Sequence, residues 1–176
     1  FKTTFALLLI HSFLKMYKDG IILFYDSEFG SPQKYFEGFN LPLGSIVHTP
    51  VTDIGELVHD LSVQLDGFTR EDKVLIFIDS IGNLASRKEV KDALEGNTAA
   101  DMTRAKALKS LFRIITPKIA VKDIPLITIN HTYASMDMYS KQTVSGGTGG
   151  VYSADNIWVI GRQQDKDGTE ISGYNF

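Results

Sequence analysis

Four short stretches of the sequence end in side chains suited to holding a phosphate group and a metal ion. They are FKTTF (Phe1–Phe5), LFYDSE (Leu23–Glu28), VLIFIDS (Val74–Ser80) and ITINHTY (Ile127–Tyr133). Lys2 opens an apolar helical pattern with nothing but Phe1 before it. A lysine there adds positive charge to the positive end of the helix dipole, which is unfavourable unless an anion lies between them. The phosphate loop Gly-x-x-x-x-Gly-Lys-Ser/Thr supplies such an anion, and Lys2-Thr3 match its last two letters. The glycine half would then precede residue 1. The alternative is an ordinary Lys-Thr pair.

Asp79 follows the apolar run VLIFI. A carboxylate at such a strand end can hold Mg²⁺ through the metal's hydration water while a lysine and a threonine hold phosphate and metal from the other side. It can equally cap a turn. Glu28 suits a different task, orienting a water and taking its proton during phosphoryl transfer; a solvated strand-end glutamate is the plainer alternative. Asp26, Ser80, Asn130, His131 and Thr132 complete the polar strand ends. A metal-binding His131 is disfavoured, because no second His or Cys stands at ligand spacing.

The elements that would position these groups follow from hydrophobic patterning. Runs at Ile21–Glu28, Val74–Ser80 and Pro125–Tyr133 are nearly continuous in β-branched, aliphatic and aromatic residues, as strands covered on both faces are. Asn156–Gln163 is a fourth apolar run and Ser45–Pro50 a shorter candidate. Helical patterns lie between them at Thr3–Tyr17, Asp53–Asp66 and about Ala99–Ile115. Thr52 or Asp53 would cap the second, with Glu56 reaching back. Strands alternating with helices predict an α/β fold with right-handed crossovers, whose ligands bind beyond the carboxyl ends of the strands. Glu170–Phe176 reads as one more strand, without a partner after it. Both ends look cut, as in the core of a longer protein.

The 176 residues are 43% hydrophobic and 22% charged, which fits one globular domain over residues 1–176. A formal net charge of −3 excludes a general polycation, so nucleic-acid binding would need local patches. The absence of cysteine excludes disulfides and thiolate-bound metals. Phe5–Leu14 is too short an apolar run to span a bilayer. Two stretches suit a polyanion. Ala134–Gly150 is a long segment read as a loop without structure of its own, with Tyr139 for stacking, Lys141, and Gly146, Gly147, Gly149 and Gly150 baring backbone N–H groups. Arg87–Arg113 is rich in bases, but interspersed acids make a solvated helix face sufficient for most of them.

Together, FKTTF, LFYDSEFG, VLIFIDSIGNLASRKE, DMTRAKALKSLFR, ITINHTY and GGTGGVYSAD resemble the RecA-type recombinases, and within them the UvsX-type branch of T-even-type phages. The resemblance runs over essentially the whole chain. It implies a RecA-like phosphate-loop ATPase core: a mostly parallel central sheet flanked by helices, with an antiparallel extension at the C-terminal end. It implies ATP and Mg²⁺ as cofactors, with Lys2 and Thr3 as the phosphate-loop lysine and metal-binding hydroxyl, Asp79 as the second motif's acid, Glu28 as the water-activating glutamate and Tyr35 stacked on adenine. It makes His131 the γ-phosphate sensor. The first DNA-binding loop would run from about Arg87 to Ala100, with Arg87, Lys88 and Lys91; the second would be Ala134–Gly150. The implied function is ATP-dependent strand exchange by a filament on single-stranded DNA, which pairs with homologous duplex. Phage single-strand-binding and mediator proteins would be partners, in the host cytoplasm. Three departures stand out: the glycine half of the phosphate loop is absent, so is the N-terminal segment by which family members dock onto a neighbouring subunit, and basic residues reaching ATP across a subunit interface are expected beyond Phe176, with Lys166 a weak substitute. The 176 residues alone are therefore expected to be inactive. A hexameric helicase-type motor and a non-hydrolysing DNA-binding module are the alternatives.

Overall fold

Ile21–Asp26 (β1) and Val74–Asp79 (β3) are parallel neighbours at the centre of a four-stranded sheet. Ile46–Pro50 (β2) pairs with the outer edge of β1, and Leu126–Thr128 (β4) with that of β3, so the order is β2-β1-β3-β4 and every pairing is parallel. The computed structural model describes residues 1–30, 33–96, 102–134, 142–164 and 171–175.

The apolar runs of β1 and β3 are explained by burial on both faces. Ile22, Phe24, Leu75 and Phe77 point to one side and pack on Ala6, Leu7, Ile10 and Leu14 of helix Lys2–Met16 (α1) and on Phe36 of the short helix Gln33–Gly38 (α2). Leu23, Tyr25, Ile76 and Ile78 point to the other side. There they meet Ile54, Leu57, Leu61 and Leu65 of helix Ile54–Gly67 (α3), and Leu108, Leu111, Phe112 and Ile115 of the helix Met102–Lys122. Alternation along each strand thus fills two cores, one per face. At roughly 1.5–3 kcal/mol for each fully buried large apolar side chain, these cores supply the main driving force for the fold.

Local signals set the helix boundaries. Asp53 caps α3 by accepting from the Glu56 N–H at 2.9 Å, while the Glu56 carboxylate reaches back to the N–H of Thr52, also at 2.9 Å. Ser86 and Glu89 form a reciprocal capping box at the start of a helix Arg87–Leu94 (α4). The stretch resembling a first DNA-binding loop is therefore helical over most of its described length. The next helix, Met102–Lys122 (α5), continues past the expected Ile115 and through Pro117.

The C-terminal third departs further from expectation. The run Pro125–Tyr133 is not one strand: β4 ends at Thr128, and Thr132–Ala134 (β5) turns away to pair antiparallel with Gln142–Val144 (β6). The segment Ala134–Gly150 thus has structure of its own in its described part, and the short helix Gly149–Ser153 (α6) begins within it. In Asn156–Gln163, strand starts only at Gly161; Ile157, Trp158 and Val159 are exposed. Gly161–Gln164 (β7) pairs antiparallel with Ile171–Asn175 (β8), which gives the last strand a partner before it in sequence. This hairpin is a separate two-stranded sheet and does not extend the central one. Among the described residues no helix is long and apolar enough to cross a membrane.

Candidate active site

A parallel sheet brings the carboxyl ends of β1, β3 and β4 to one edge. Hydrogen bonds continue beyond the strands and fix those ends: Ser27 N–H donates to Asp79 O at 2.8 Å, Ile129 N–H to Ile78 O at 2.9 Å, and Ile81 N–H to Ile129 O at 3.0 Å. The N-terminus of α1 meets the same edge.

Thr3, in the first turn of α1, donates its hydroxyl proton to Asp79 Oδ2 at 2.7 Å. The other oxygen, Asp79 Oδ1, is buried and has no hydrogen-bond partner among the described residues. Burial raises the Asp79 carboxyl above its ordinary range, and the nearby charges of Glu28 and Asp26 add to this, against the lowering effect of Thr3 and Lys2. A buried carboxylate with an orphaned oxygen, next to a threonine hydroxyl, is a donor set that suits a hard cation. No described group of three or more His, Cys, Asp or Glu side chains suits a metal by itself. A cation here would complete its shell with water and substrate oxygens, as Mg²⁺ does.

Beside this pair lies a second cluster. Glu28 Oε1 accepts from Ser80 Oγ at 2.8 Å and lies 2.9 Å from His131 Nε2. His131 Nδ1 is 3.5 Å from Lys2 Nζ. Lysine can only donate and an ionised carboxylate only accept, so these partners select the neutral tautomer with the proton on Nε2. Burial tends to raise Glu28, but the hydrogen bonds from His131 and Ser80 and the charge of Lys2 together hold it below its ordinary range. The result is an ionised carboxylate, part exposed, at a strand tip beside a lysine.

Asp26 does different work from the other acids. Its buried carboxylate accepts from the N–H groups of Glu28 at 3.0 Å and Phe29 at 2.8 Å, and its second oxygen lies 3.1 Å from His48 Nε2. It shapes the turn that presents Glu28, including Phe29, which sits at the positive φ of 54° that few non-glycine residues adopt. Tyr35 bonds Thr4 through its hydroxyl at 3.2 Å and packs edge-on against Phe39, next to the first turn of α1.

The site connects directly to the glycine-rich segment. Asn130 Nδ2 donates to Ser145 O at 2.9 Å, and Ser145 N–H donates to His131 O at 2.9 Å. Gly146 and Gly147 follow with φ of 80° and 83° and pack against Leu108 and Ala105 of α5; Gly149 and Gly150 lie against Lys109 and Phe112. Arg87, Lys88 and Lys91 lie on α4, outside this cluster; Arg87 Nε is 3.6 Å from Asp53 and Lys91 Nζ 3.8 Å from Glu95. Tyr139, Lys141 and Lys166 lie outside the described residues.

Two contributors escaped sequence reasoning. Arg104 belongs to the basic stretch explained as a solvated face, yet its guanidinium donates to the carbonyls of Leu84, Ile81 and Gly82 and secures the turn after β3. Gly82 lets that turn approach β4: a Cβ there would stand 2.8 Å from both Asn130 Oδ1 and His131 Cδ2. An isolated glycine just after a strand signals such a close approach, but not its partner.

The fold and its edge define an α/β protein with a cluster of charged and polar side chains at the tips of a parallel sheet. No family model matches the chain. It is similar to a protein of Enterobacteria phage T4 described as "Recombination and repair protein", with 48% identity over 176 residues. That match takes in 100% of this chain and 45% of the relative, so the chain spans less than half the relative's length.

Proposed function

We propose that this chain is the ATPase core of a RecA-type DNA strand-exchange recombinase acting in recombination and repair. The observation that carries the reading is the joining of Lys2-Thr3, Asp79, Glu28 and His131 at one edge of the sheet, with Thr3 on Asp79 at 2.7 Å and His131 on Glu28 at 2.9 Å. The similarity to a phage recombination and repair protein supports it independently.

In this reading Lys2 neutralises the β- and γ-phosphates of ATP, and Thr3 and Asp79 would hold Mg²⁺. Bound there, the metal would supply charge neutralisation on the transferring phosphoryl group. Glu28, held ionised by its hydrogen bonds to His131 and Ser80, orients the attacking water and accepts its proton. Tyr35 offers a ring to the adenine. His131 donates to the γ-phosphate and exchanges that bond for Glu28 after hydrolysis. Its carbonyl holds Ser145, so the exchange reaches the glycine-rich segment, which contacts DNA together with Tyr139 and Lys141. Arg87, Lys88 and Lys91 serve a second strand contact from α4. The intact protein forms filaments on single-stranded DNA, pairs them with homologous duplex, and cooperates with single-strand-binding and mediator proteins in the host cytoplasm.

The test is ATP hydrolysis and joint-molecule formation by the intact protein with and without single-stranded DNA. DNA-stimulated release of phosphate, abolished by Glu28→Gln, is the expected result. Unaltered turnover in that variant refutes the assignment, and processive duplex unwinding without joint molecules refutes strand exchange.

A further inference from the structure

We propose that Ser80 is a positioning residue for Glu28: its hydroxyl anchors one carboxylate oxygen so that the other is presented to the attacking water. The inference rests on the reading of Glu28 as general base and deepens it.

Ser80 is completely buried. Its backbone is held on both sides by Ser27: its N–H donates to Ser27 Oγ at 3.0 Å, and the Ser27 hydroxyl donates to its carbonyl at 2.7 Å, which also accepts from the Asn83 N–H at 3.3 Å. The tip of β3 is thereby locked to the tip of β1, and the Ser80 side chain has a fixed origin. From there the hydroxyl donates to Glu28 Oε1 at 2.8 Å, while His131 Nε2 lies 2.9 Å from the same oxygen and 3.3 Å from Ser80 Oγ. One hydroxyl proton serves one acceptor. With Nε2 carrying its own proton toward Glu28, the serine proton belongs to Glu28 as well. Oε1 therefore accepts two bonds, and no hydrogen bond among the described residues reaches Oε2.

This asymmetry matters because a glutamate side chain has three torsions and no preference of its own for a reactive orientation. His131 alone cannot fix it, since in the proposed cycle the imidazole moves to the γ-phosphate. Ser80 remains in place throughout. The other charged groups facing Glu28 are Lys2 of α1, Asp79 at the end of β3, and Asp26, which bonds the Glu28 backbone and not its carboxylate. None of these anchors Oε1.

Three measurements on the intact protein decide the matter. At saturating ATP and Mg²⁺ with single-stranded DNA, Ser80→Ala is expected to lower kcat about tenfold to a hundredfold, as displaced catalytic groups do, and to leave the KM for ATP within about twofold. A crystal structure of Ser80→Ala with Mg²⁺ and a non-hydrolysable ATP analogue, where His131 has turned to the γ-phosphate, should show the Glu28 carboxylate displaced from its wild-type position. Ser27→Ala loosens the backbone that carries Ser80, so it should lower Tm and also lower kcat, by less than Ser80→Ala does. If Ser80→Ala does not fold, Ser80→Cys keeps the shape with a weaker donor and must lower kcat in the same sense. Wild-type kcat in the folded Ser80 variant overturns the inference, as does a larger loss of kcat in Ser27→Ala than in Ser80→Ala. Normal turnover in Glu28→Gln instead shows that the base assignment has failed; an inactive Glu28→Gln beside a normal Ser80→Ala refutes the positioning role alone.

Discussion

Glu28 Oε1 and His131 Nε2 stand 2.9 Å apart although 103 residues separate them in sequence. The contact joins the strand tip that carries Glu28, within the field of Lys2, to a strand tip that leads into the glycine-rich segment. His131→Ala should preserve the fold and nucleotide binding but abolish the difference in single-stranded DNA affinity between the ATP and ADP states. Loss of one hydrogen bond to a charged group is worth roughly 1.5–3 kcal/mol, a contrast of about tenfold or more. Titration of single-stranded DNA with each nucleotide measures it; a variant retaining the normal contrast assigns His131 to structure alone.

The same contact has a pH signature. Against the opposing effect of burial, the folded-state pKa of Glu28 is shifted down by its hydrogen bonds to His131 and Ser80, so the unfolded chain binds the proton first as pH falls. The stability that Glu28 contributes is complete above the ordinary glutamate range and is lost as pH falls through its lower folded value. Melting temperature against pH should therefore fall less steeply at the acid end for Glu28→Gln than for the wild type. Parallel acid limbs would contradict the assignment of that shift.

Asp79 carries the opposite sign. Burial shifts it up, so the unfolded chain releases its proton first and stability declines as pH rises through the window above the ordinary aspartate range. At neutral pH the charge is a cost to the ligand-free fold that a bound cation would offset. Asp79→Asn should raise the stability of the nucleotide-free protein by about 1 kcal/mol while impairing Mg²⁺-dependent ATP binding, a trade of function for stability. Thermal melts with and without Mg²⁺–ATP test both halves; a lower nucleotide-free melting temperature refutes the first.

Gly82→Ala places a methyl 2.8 Å from Asn130 Oδ1 and His131 Cδ2, and these atoms must give way. A loss of about 1–3 kcal/mol is expected from the overpacking. Turnover should fall as the displaced His131 loses its reach to the γ-phosphate. Urea unfolding and phosphate release report the two effects, and unchanged values for both would mean that the turn accommodates the methyl freely.

In the glycine-rich segment, alanine replacement of SGGTGG should weaken single-stranded DNA binding in the intact protein and also destabilise the fold. Gly146 and Gly147 hold φ of 80° and 83°, so each alanine there costs about 1 kcal/mol or more. Gly147→Ala, whose methyl meets only the Ala105 side chain at 3.3 Å, isolates the backbone effect. Unchanged DNA affinity in the six-residue replacement would remove the segment from the DNA interface.

The sequence by itself determined the elements whose signals are local or periodic. The two-faced burial of Ile21–Asp26 and Val74–Asp79, the capping at Asp53 and the α/β alternation were legible because a strand covered on both faces admits few polar residues and a helix start needs an acceptor for its free N–H groups. Lys2, Thr3, Glu28, Asp79 and His131 stood out as polar groups at the ends of apolar runs. Tertiary structure decided what those groups meet. That Thr3 faces Asp79, that Ser80 and His131 share one oxygen of Glu28, and that Arg104 secures the turn after β3 depend on register between strands and on the seating of α1 and α5. No single stretch of sequence encodes such relationships. The early end of β4 and the β5–β6 pairing had the same origin. An apolar run cannot announce where it leaves one sheet for another, because the choice rests on partners contributed from elsewhere in the chain.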